Sequence, residues 1–482
     1  MNMLMAHAAN LVLLIPLFAA GVFAILPWYR WAARLNVAAS LLTFAASLLL
    51  LFQRPAPTPF IQIDDLNIVF VVLNTFVALT TSLFSASYIA HEVEIGRLTP
   101  RYLRFYHAMF QFMMFGMDLA LVANNIGLMW VAIELATLTT ILMVGIYRTP
   151  EAIEAAWKYF ILGSVGIALA LFGTILVYTA ARPVIGAGLP AMAWTELIRR
   201  VADFDPALLN LAFVFLLLGY GTKVGLVPLH AWLPDAHAEG PTPISAVLSG
   251  LLLNVALYAV LRFKMLLAGN PHTLAAGPLM VAMGLVSLIF AALMLYRRRD
   301  IKRLFAYSSI EHMGIIAFAF GMGGPLANFA GLLHMTMHSL TKSAIFFSVG
   351  HVAQVKGTQK LADMGGLIVT HPVLASTLVI SVAAIAGLPP SGIFMSEFLV
   401  VSSTFARAPL LAIPLVVGLL IAIGALFLRL GSVVFGEPRG STAPDRASYL
   451  PFLAHLSLVI VAGFYLPTPI VTWFQNVARL LG

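Results

Sequence analysis

Hydrophobic residues make up 61% of this 482-residue chain and charged residues only 10%, and the mean hydropathy is +0.98, which excludes an ordinary water-soluble globular protein. The chain contains no cysteine, which excludes thiolate-ligated iron–sulfur clusters, c-type haem attachment and disulfides. The formal net charge of +8 would suit nucleic acid, but the Lys and Arg residues lie mostly in loops on one side of the predicted membrane helices.

Apolar runs of roughly 20 residues recur from about residue 10 to about residue 470, and each is long enough to cross a bilayer as a helix. They do not alternate as barrel strands do, so they predict an all-α integral membrane protein with about 14 transmembrane helices. With the N-terminus outside, most of the 27 Lys and Arg lie in cytoplasmic loops, while Arg262 and Lys264 face outward. Both termini are therefore predicted on the outer, periplasmic side.

Two short stretches predict an internal repeat. The sequences KVGLVPL at 223–229 and IAGLPPS at 385–391 share G-L-x-P, and each would break a membrane helix near its middle. Lys223 and Glu397, which accompany these breaks, are 174 positions apart. An odd number of helices per repeat makes the two copies inverted in the membrane. The predicted divisions are an N-terminal three-helix segment at 1–106, five-helix repeats at 107–265 and 275–437, and a C-terminal helix at 448–482.

Lys223 is a charged residue deep inside an apolar segment. A charge at the bilayer centre costs about 3 to 10 kcal/mol unless it is paired or hydrated. Lys223 lies about 22 Å along its helix, too far from the outer surface for its amine to reach water there. The helix break at Pro228 frees backbone carbonyls and admits water beside the amine. We expect Lys223 to carry protons, with a structural ion pair as the alternative.

Glu134 has apolar or small neighbours for a full helical turn on either side. Alone it would remain a neutral, hydrogen-bonded acid. If it meets Lys223, its carboxylate stabilises the charged amine, and separating the two groups releases a proton from the lysine. We predict a Glu134–Lys223 pair that acts as a switch. The polar residues just beyond the first helix break form a predicted cytoplasmic loop that gathers protons from bulk water: His230, Asp235, His237 and Glu239.

The sequence HMTMHSLTK places His334, His338 and Lys342 at positions i, i+4 and i+8, along one face of a helix. A neutral imidazole accepts a proton at one nitrogen and donates at the other, so this face predicts a proton wire. Metal binding by the two histidines is the weaker alternative, because the sequence offers no third ligand nearby.

Further titratable residues lie in neighbouring apolar segments. Glu311 and His312 come early in their predicted helix and form either a cytoplasmic entrance or an interfacial pair. Glu397 follows the second helix break and suits a proton exit, or is a carboxylate in contact with water at the outer interface. Asp118 is buried in an apolar run, and the sequence assigns it no role.

Four motifs together resemble the antiporter-like proton-translocating subunits shared by respiratory complex I, multisubunit sodium/proton antiporters and membrane-bound nickel–iron hydrogenases. They are WVAIELATL at 130–138, TKVGLVPLHAWLPDAHAEGPTPISAVLSG at 222–250, HMTMHSLTKSAIFF at 334–347 and GLPPSGIFMSEF at 387–398. The sequence YSSIEHMG at 307–314 looks most like the F component of the hydrogenase-4 and formate hydrogenlyase type. The resemblance covers nearly the whole chain.

This resemblance implies about 14 helices, two inverted five-helix repeats, and discontinuous seventh and twelfth helices. Where the eighth helix of complex I subunits often carries Lys or His, this chain has Asn254. An amide takes up no proton, so the central link runs through water or neighbouring groups, or the channel is incomplete. The predicted proton pathway comprises Glu134, Lys158, Lys223, His230, His237, Asn254, Glu311, His334, His338, Lys342 and Glu397.

The implied function is a proton-translocating subunit of a redox-driven complex in the cell inner membrane, with no cofactor in this chain and no catalysis by the chain alone. Its implied partners are other membrane subunits, a soluble redox or hydrogenase arm, lipid, and protons or Na⁺, but no nucleic acid. Three alternatives remain open: a cation/proton antiporter subunit, a membrane subunit of an inorganic-carbon uptake complex that consumes the proton gradient, and a structural scaffold.

Overall fold

The computed structural model describes residues 7–26, 29–446 and 448–482, without the side chains of residues 29 and 30. Residues 1–6, 27 and 28 of the predicted N-terminal segment, and residue 447, lie outside the described residues. The described part is almost entirely helical and pairs extended backbone only at isolated bridges, which confirms the all-α prediction. Eleven helices in it are long and apolar enough to cross a membrane, so the chain is a multi-span membrane protein.

In the N-terminal half the helices are α1 (Ala8–Ile25), α2 (Tyr29–Leu49), α3 (Asp65–Glu94), α4 (Pro100–Val122), α5 (Ile126–Val144), α6 (Pro150–Ile185), α7 (Trp194–Arg200), α8 (Pro206–Val224), α9 (Trp232–Glu239) and α10 (Thr242–Ala268). A π-helical turn, Leu248–Leu252, interrupts α10. The remaining helices are α11 (Gly277–Leu295), α12 (Ile301–Met322), α13 (Gly324–Lys356), α14 (Leu367–Thr370), α15 (Pro372–Ile385), α16 (Gly392–Arg407), α17 (Pro409–Val434), α18 (Leu450–Phe464) and α19 (Thr468–Leu480).

The number of membrane crossings depends on how three features are counted. Helix α13 has 33 residues but is too polar to be among the eleven candidate spans. Helices α15 and α16 are two halves separated by a short break. Helices α18 and α19 meet at a bend of 81°. The predicted number of about 14, and the inverted repeats, therefore stay predictions.

Many helix starts follow one local rule: a polar residue caps the helix and proline occupies its first turn. Thr99 caps α4 before Pro100, Thr149 caps α6 before Pro150, and the Asp205 carboxylate accepts hydrogen bonds from two amides of α8. Because the first amides of a helix have no partner within it, these side chains supply their hydrogen bonds.

Both predicted helix breaks are present. Helix α8 ends at Gly225, whose φ is +81°, and α15 ends just before Gly387, whose φ is +66°. Side chains other than glycine rarely adopt this left-handed conformation, which explains glycine at the same position of both G-L-x-P sequences. The chain resumes as α9 and α16, so each helix is interrupted close to a titratable side chain, Lys223 at the first break and Glu397 at the second.

Small residues allow α6 and α8 to pack closely. A methyl group on Gly219 would lie 2.5 Å from the Ala170 amide nitrogen and 2.6 Å from the Gly166 carbonyl oxygen. Such contacts between small residues are typical of helices packed within a membrane. Lys223 follows Gly219 by one turn, and its Nζ would lie only 2.9 Å from a methyl group at Gly163. The close packing therefore fixes the position of the Lys223 amine.

We expect Gly219→Ala to destabilise the protein by about 1–3 kcal/mol, because the added methyl group overpacks the contact between two backbones. The measurement is the midpoint of thermal unfolding in detergent. Gly221→Ala is the matched control, since its methyl group would meet side-chain tips alone, Met283 at 3.4 Å and Leu226 at 3.7 Å. Equal midpoints for the two variants would contradict this account of the packing.

Arg262 and Lys264 are both buried in the last turns of α10, and their predicted place on the outer side of the membrane stays a prediction. The Arg262 guanidinium forms an ion pair with Asp64, the N-cap of α3, at 2.6 Å. The Lys264 amine donates to the Leu481 carbonyl, beyond the end of α19, at 2.7 Å. Segments at both ends of the chain cover these charges, and a sequence pattern does not reveal such distant contacts.

Candidate functional site

The first part of the site lies where α8 breaks. The Lys223 amine lies 3.5 Å from a Glu134 carboxylate oxygen on α5, as predicted, and 5.9 Å from the centre of the Tyr159 ring on α6. Tyr159 stacks on Trp232 of α9 with ring centres 4.1 Å apart, and the Trp232 indole donates to the Thr222 carbonyl at 2.8 Å. The aromatic pair thus joins both halves of the broken helix behind the lysine.

The Lys223 side chain is 1% exposed and the Glu134 side chain is 18% exposed. The difference matters because a buried amine keeps its charge only while an opposite charge or water is near. Glu134 is the only acidic residue in contact with this amine among the described residues. The pair is therefore a coupled site in which the position of one group controls the charge of the other.

Asp235 and Glu239 of α9 take part in surface ion pairs. Lys158 contacts Glu154 at 2.7 Å and Asp235 at 3.1 Å, and its side chain is half exposed. Arg303 contacts Asp235 at 3.2 Å and Glu239 at 3.5 Å. The structure thus places Lys158 on the helix surface among carboxylates, and its predicted part in the pathway stays a prediction.

The two histidines predicted in a solvent-facing loop are both buried, and His237 lies in α9 instead of a loop. His230 packs against Phe290 with ring centres 4.8 Å apart. His237 stacks on Phe346 of α13, and neither of its ring nitrogens has a hydrogen-bond partner among the described residues. The prediction of a loop was wrong for Asp235, His237 and Glu239, which lie in the helix α9, whereas His230 lies in a turn before that helix.

The second part of the site brings α12, α13 and α16 together. His312 Nδ1 and His334 Nε2 are hydrogen-bonded at 2.9 Å, and His334 Nδ1 meets Ser396 Oγ at 2.8 Å. His312 Nδ1 lies 3.9 Å from a Glu397 oxygen, and its Nε2 lies 3.6 Å from Glu311. The His312 ring thus lies between Glu311 and Glu397, and its hydrogen bond to His334 extends the cluster to Ser396.

The prediction that Glu311 and His312 lie early in their helix is wrong. Both occupy the middle of the 22-residue α12 and are about 2% exposed or less, so they form no cytoplasmic entrance. Sequence reasoning left His312 out of the pathway, although its position next to Glu311 in an apolar run was a signal. Ligand atoms of His312, His334 and Glu397 also lie within 4.8 Å of one another, a potential metal-ligand group that includes His334 but not His338 and that the sequence did not show.

Lys342 completes this second part. Its amine is buried, donates to the Phe305 carbonyl at 3.0 Å and has Glu311 as its acidic electrostatic partner. The His338 ring lies one turn before Lys342, with its centre 5.6 Å from that of His312. Neither His338 nitrogen has a hydrogen-bond partner among the described residues. The predicted face of α13 thus meets α12 and α16 inside the protein.

Comparisons with known proteins identify the family. Residues 123–424 match the family described as NADH:quinone oxidoreductase/Mrp antiporter, TM. The chain is 64% identical over 474 residues to the hydrogenase-4 component F homologue of Methylacidiphilum infernorum, covering 98% of this chain and 100% of that protein. The chain belongs to this family. It is an antiporter-like membrane subunit of the type found in complex I and hydrogenase complexes, as its motifs predicted.

Solved structures show that the subunit has the family fold. A chain of the archaeal membrane-bound sulfane sulfur reductase superposes with a TM-score of 0.87 at 23% identity, covering 98% of this chain and 97% of that one. A chain of the Mrp complex from Dietzia sp. DQ12-45-1b gives 0.85 at 19% identity, covering 100% and 98%. Because a respiratory complex and an Mrp complex match almost equally well, the fold alone does not choose between them.

In this antiporter-like subunit Asn254 ties α10 to α13. Its amide donates to Ser339 Oγ at 2.6 Å and to the Met335 carbonyl at 3.2 Å. Ser339 in turn donates to the Gly250 carbonyl, inside the π-helical turn, at 2.5 Å. The amide is thus fixed as a hydrogen-bond donor and takes up no proton, and its predicted place in the proton pathway stays a prediction.

Asp118 of the antiporter-like subunit lies in α4, in contact with α3. One of its oxygens accepts a hydrogen bond from Asn74 at 2.7 Å, and the other has no hydrogen-bond partner among the described residues. The side chain is fully buried. No hydrogen bond or ion pair joins it to the two parts of the site within the described residues, so it receives no role here.

Proposed function

We propose that this subunit translocates protons within a larger redox-driven complex of the hydrogenase or complex I type. It would span the cell inner membrane with both termini on the outer side, and a soluble redox arm would bind to its membrane partners. The observation that carries the proposal is the Lys223–Glu134 pair, at 3.5 Å, beside an interrupted membrane helix. A buried lysine with one movable counter-ion is suited to taking up and releasing a proton.

The pair acts as a switch because Coulomb energy depends on distance and on the local dielectric. While Glu134 lies close, its carboxylate stabilises the charged amine. When the two groups separate, the buried amine loses that stabilisation and gives its proton to water at the break in α8. Neighbouring membrane subunits would drive the separation, since Glu134 lies on α5 with its side chain partly exposed.

The outward half of the route passes through the second part of the site. Lys342 passes a proton to His338, and the His312–His334 hydrogen bond lets each ring accept at one nitrogen and donate at the other. Glu397 receives the proton 3.9 Å from His312 and releases it on the outer side. Each transfer moves only a proton, so no cofactor in this chain is needed.

A cation/proton antiporter is the second candidate, because the description of the matched family includes Mrp antiporters and an Mrp chain shares the fold. In that case Na⁺ would cross the complex, and the partners would be membrane subunits alone. A gradient-consuming carbon uptake complex would use the same residues in the reverse direction. The three assemblies differ in their partners.

The test is to purify the native complex and identify its subunits by mass spectrometry. The affinity tag belongs at the N-terminus, because the Gly482 carbonyl accepts hydrogen bonds from Gly324 at 2.9 Å and from Asn328 at 2.7 Å. Recovery of hydrogenase-like or dehydrogenase-like subunits with iron–sulfur clusters would support a redox-driven pump. Recovery of membrane subunits alone, with Na⁺-dependent proton movement in vesicles, would replace it with the antiporter.

A further inference from the structure

We propose that Glu92, Lys302 and His237 form a second cytoplasmic proton inlet, which reaches Lys342 without passing through Lys223. The inference rests on the proposed function, because it assigns a supply route to the same relay. None of these contacts involves Asn254. A separate inlet would therefore feed the outward half of the relay even though the amide cannot hand on a proton.

Lys302 is the centre of the inlet. It lies in the first turn of α12, is 1% exposed, and donates to the carbonyls of Ala238 at 2.9 Å and Gly240 at 2.7 Å. Within the described residues no carboxylate lies in ion-pair contact with this amine; the charged groups that face it from a distance are Asp300, Glu239, Glu92 and Arg97. A buried amine held by neutral carbonyls is free to exist with or without its proton.

His237 lies between two buried lysines. Its ring nitrogens lack hydrogen-bond partners among the described residues, and its electrostatic neighbours are Lys302 and Lys342. The Lys342 amine donates to the carbonyl of Phe305, which is three residues or about 4.5 Å along α12 from Lys302. The imidazole therefore has an amine on either side and both of its nitrogens available for proton exchange.

A cavity lies beside the cytoplasmic end of the inlet, and Gln354 connects it to Glu92. Glu92 of α3 is fully buried, contacts Arg97 at 3.2 Å and accepts a hydrogen bond from the Gln354 amide at 3.1 Å. Gln354 also lines a cavity of about 220 Å³ at the cytoplasmic ends of α3 and α13, together with His91, Glu94 and His351. A cavity of this size with polar walls holds several water molecules. Water there would supply protons to Glu92.

The steps conserve protons and move no other atoms. The Lys302 ammonium gives a proton to His237, and the imidazolium gives it to the neutral amine of Lys342. The Lys302 amine then regains a proton from the cavity through Glu92 and intervening water. The last step is favoured by the negative charge of Glu92, which faces Lys302.

The test compares Lys302→Arg with Lys264→Arg in the purified complex, reconstituted into vesicles with an internal pH-sensitive dye. Arginine keeps the charge and the donors to the carbonyls but does not release its proton. We expect Lys302→Arg to lower protons moved per turnover about tenfold, since the relay stays blocked. Lys264→Arg should leave transport unchanged, because Lys264 is also buried and bonded to a carbonyl, but at the outer side of α10.

Glu92→Gln tests the inlet independently if the Lys302→Arg complex fails to assemble. The glutamine amide keeps the shape of the side chain and the contact with Gln354 but removes the negative charge. Its expected result is the same fall in transport. Unchanged transport in either variant, with transport lost in Lys342→Met, would overturn the inlet and leave the proposed function intact. Unchanged transport in Lys342→Met as well would overturn the proposed function itself.

Discussion

Replacing Lys223 with methionine is expected to abolish proton transport while the complex still assembles. Methionine has a similar length and no charge, so the space between α6 and α8 stays filled. The partly exposed Glu134 is then free to take up a proton and become neutral, which limits the cost of losing its partner. The measurement is protons moved per turnover in vesicles, compared with the amount of complex recovered.

Lys223→Arg separates the proton-carrying role from the structural one. Arginine forms the ion pair with Glu134 but does not release its proton. If Lys223 carries protons, the variant loses transport. If Lys223 is only a structural partner of Glu134, the variant keeps transport. Transport at the unmodified level in Lys223→Arg would favour the structural ion pair. Lys360→Met, at an exposed position in the segment before α14, is the control and should transport normally.

The first part of the site could be predicted from the sequence because each of its charged residues is recognisable from its own apolar segment. A lysine and a glutamate alone in apolar segments each need a partner, so burial cost predicted the Glu134–Lys223 pair although 89 positions separate them. The breaks after α8 and α15 followed from G-L-x-P in the same way. Glycine and proline act on the backbone wherever the helix lies.

The second part could be predicted only along one helix. Spacing placed His334, His338 and Lys342 on one face of α13, but it gave no information on what packs against that face. The partners His312 and Glu397 come from α12 and α16, and their approach depends on how the helices pack. For the same reason the burial of Lys302 against the end of α9, instead of the predicted place in a cytoplasmic loop, could not be predicted from the sequence.

The ion pair between Asp64 and Arg262 is expected to be among the strongest single contributions to stability. Arg262 is 6% exposed, donates from Nε to the Tyr258 hydroxyl at 2.8 Å, and contacts Asp64 at 2.6 Å. Asp64 also accepts from the amides of Leu66 and Asn67, so it caps α3 as well as pairing. The contact joins the N-terminal helices to α10.

Asp64→Asn removes the charge but keeps a good helix cap, because asparagine caps helices as well as aspartate does. We expect it to lower the free energy of unfolding by about 3–5 kcal/mol, since it leaves a buried guanidinium without a counter-charge. The measurement is thermal unfolding in detergent, with Asp64→Asn combined with Arg262→Met as the control. Removing both charges should recover part of the loss, and no recovery would mean that the pair is not the cause.

The same ion pair gives a dependence on pH with a definite sign. Burial acts to raise the pKa of Asp64, but the Arg262 guanidinium and hydrogen bonds from Arg262, Asn67 and Leu66 hold that pKa below its ordinary value of 3.8. The folded protein therefore binds this proton more weakly than the unfolded chain, so the stabilisation is complete above the ordinary value and is lost as the pH falls through the lower folded pKa. The difference between the unmodified protein and Asp64→Asn should thus be constant at neutral pH and shrink in acid. A difference that grew in acid would contradict the assignment of the ion pair.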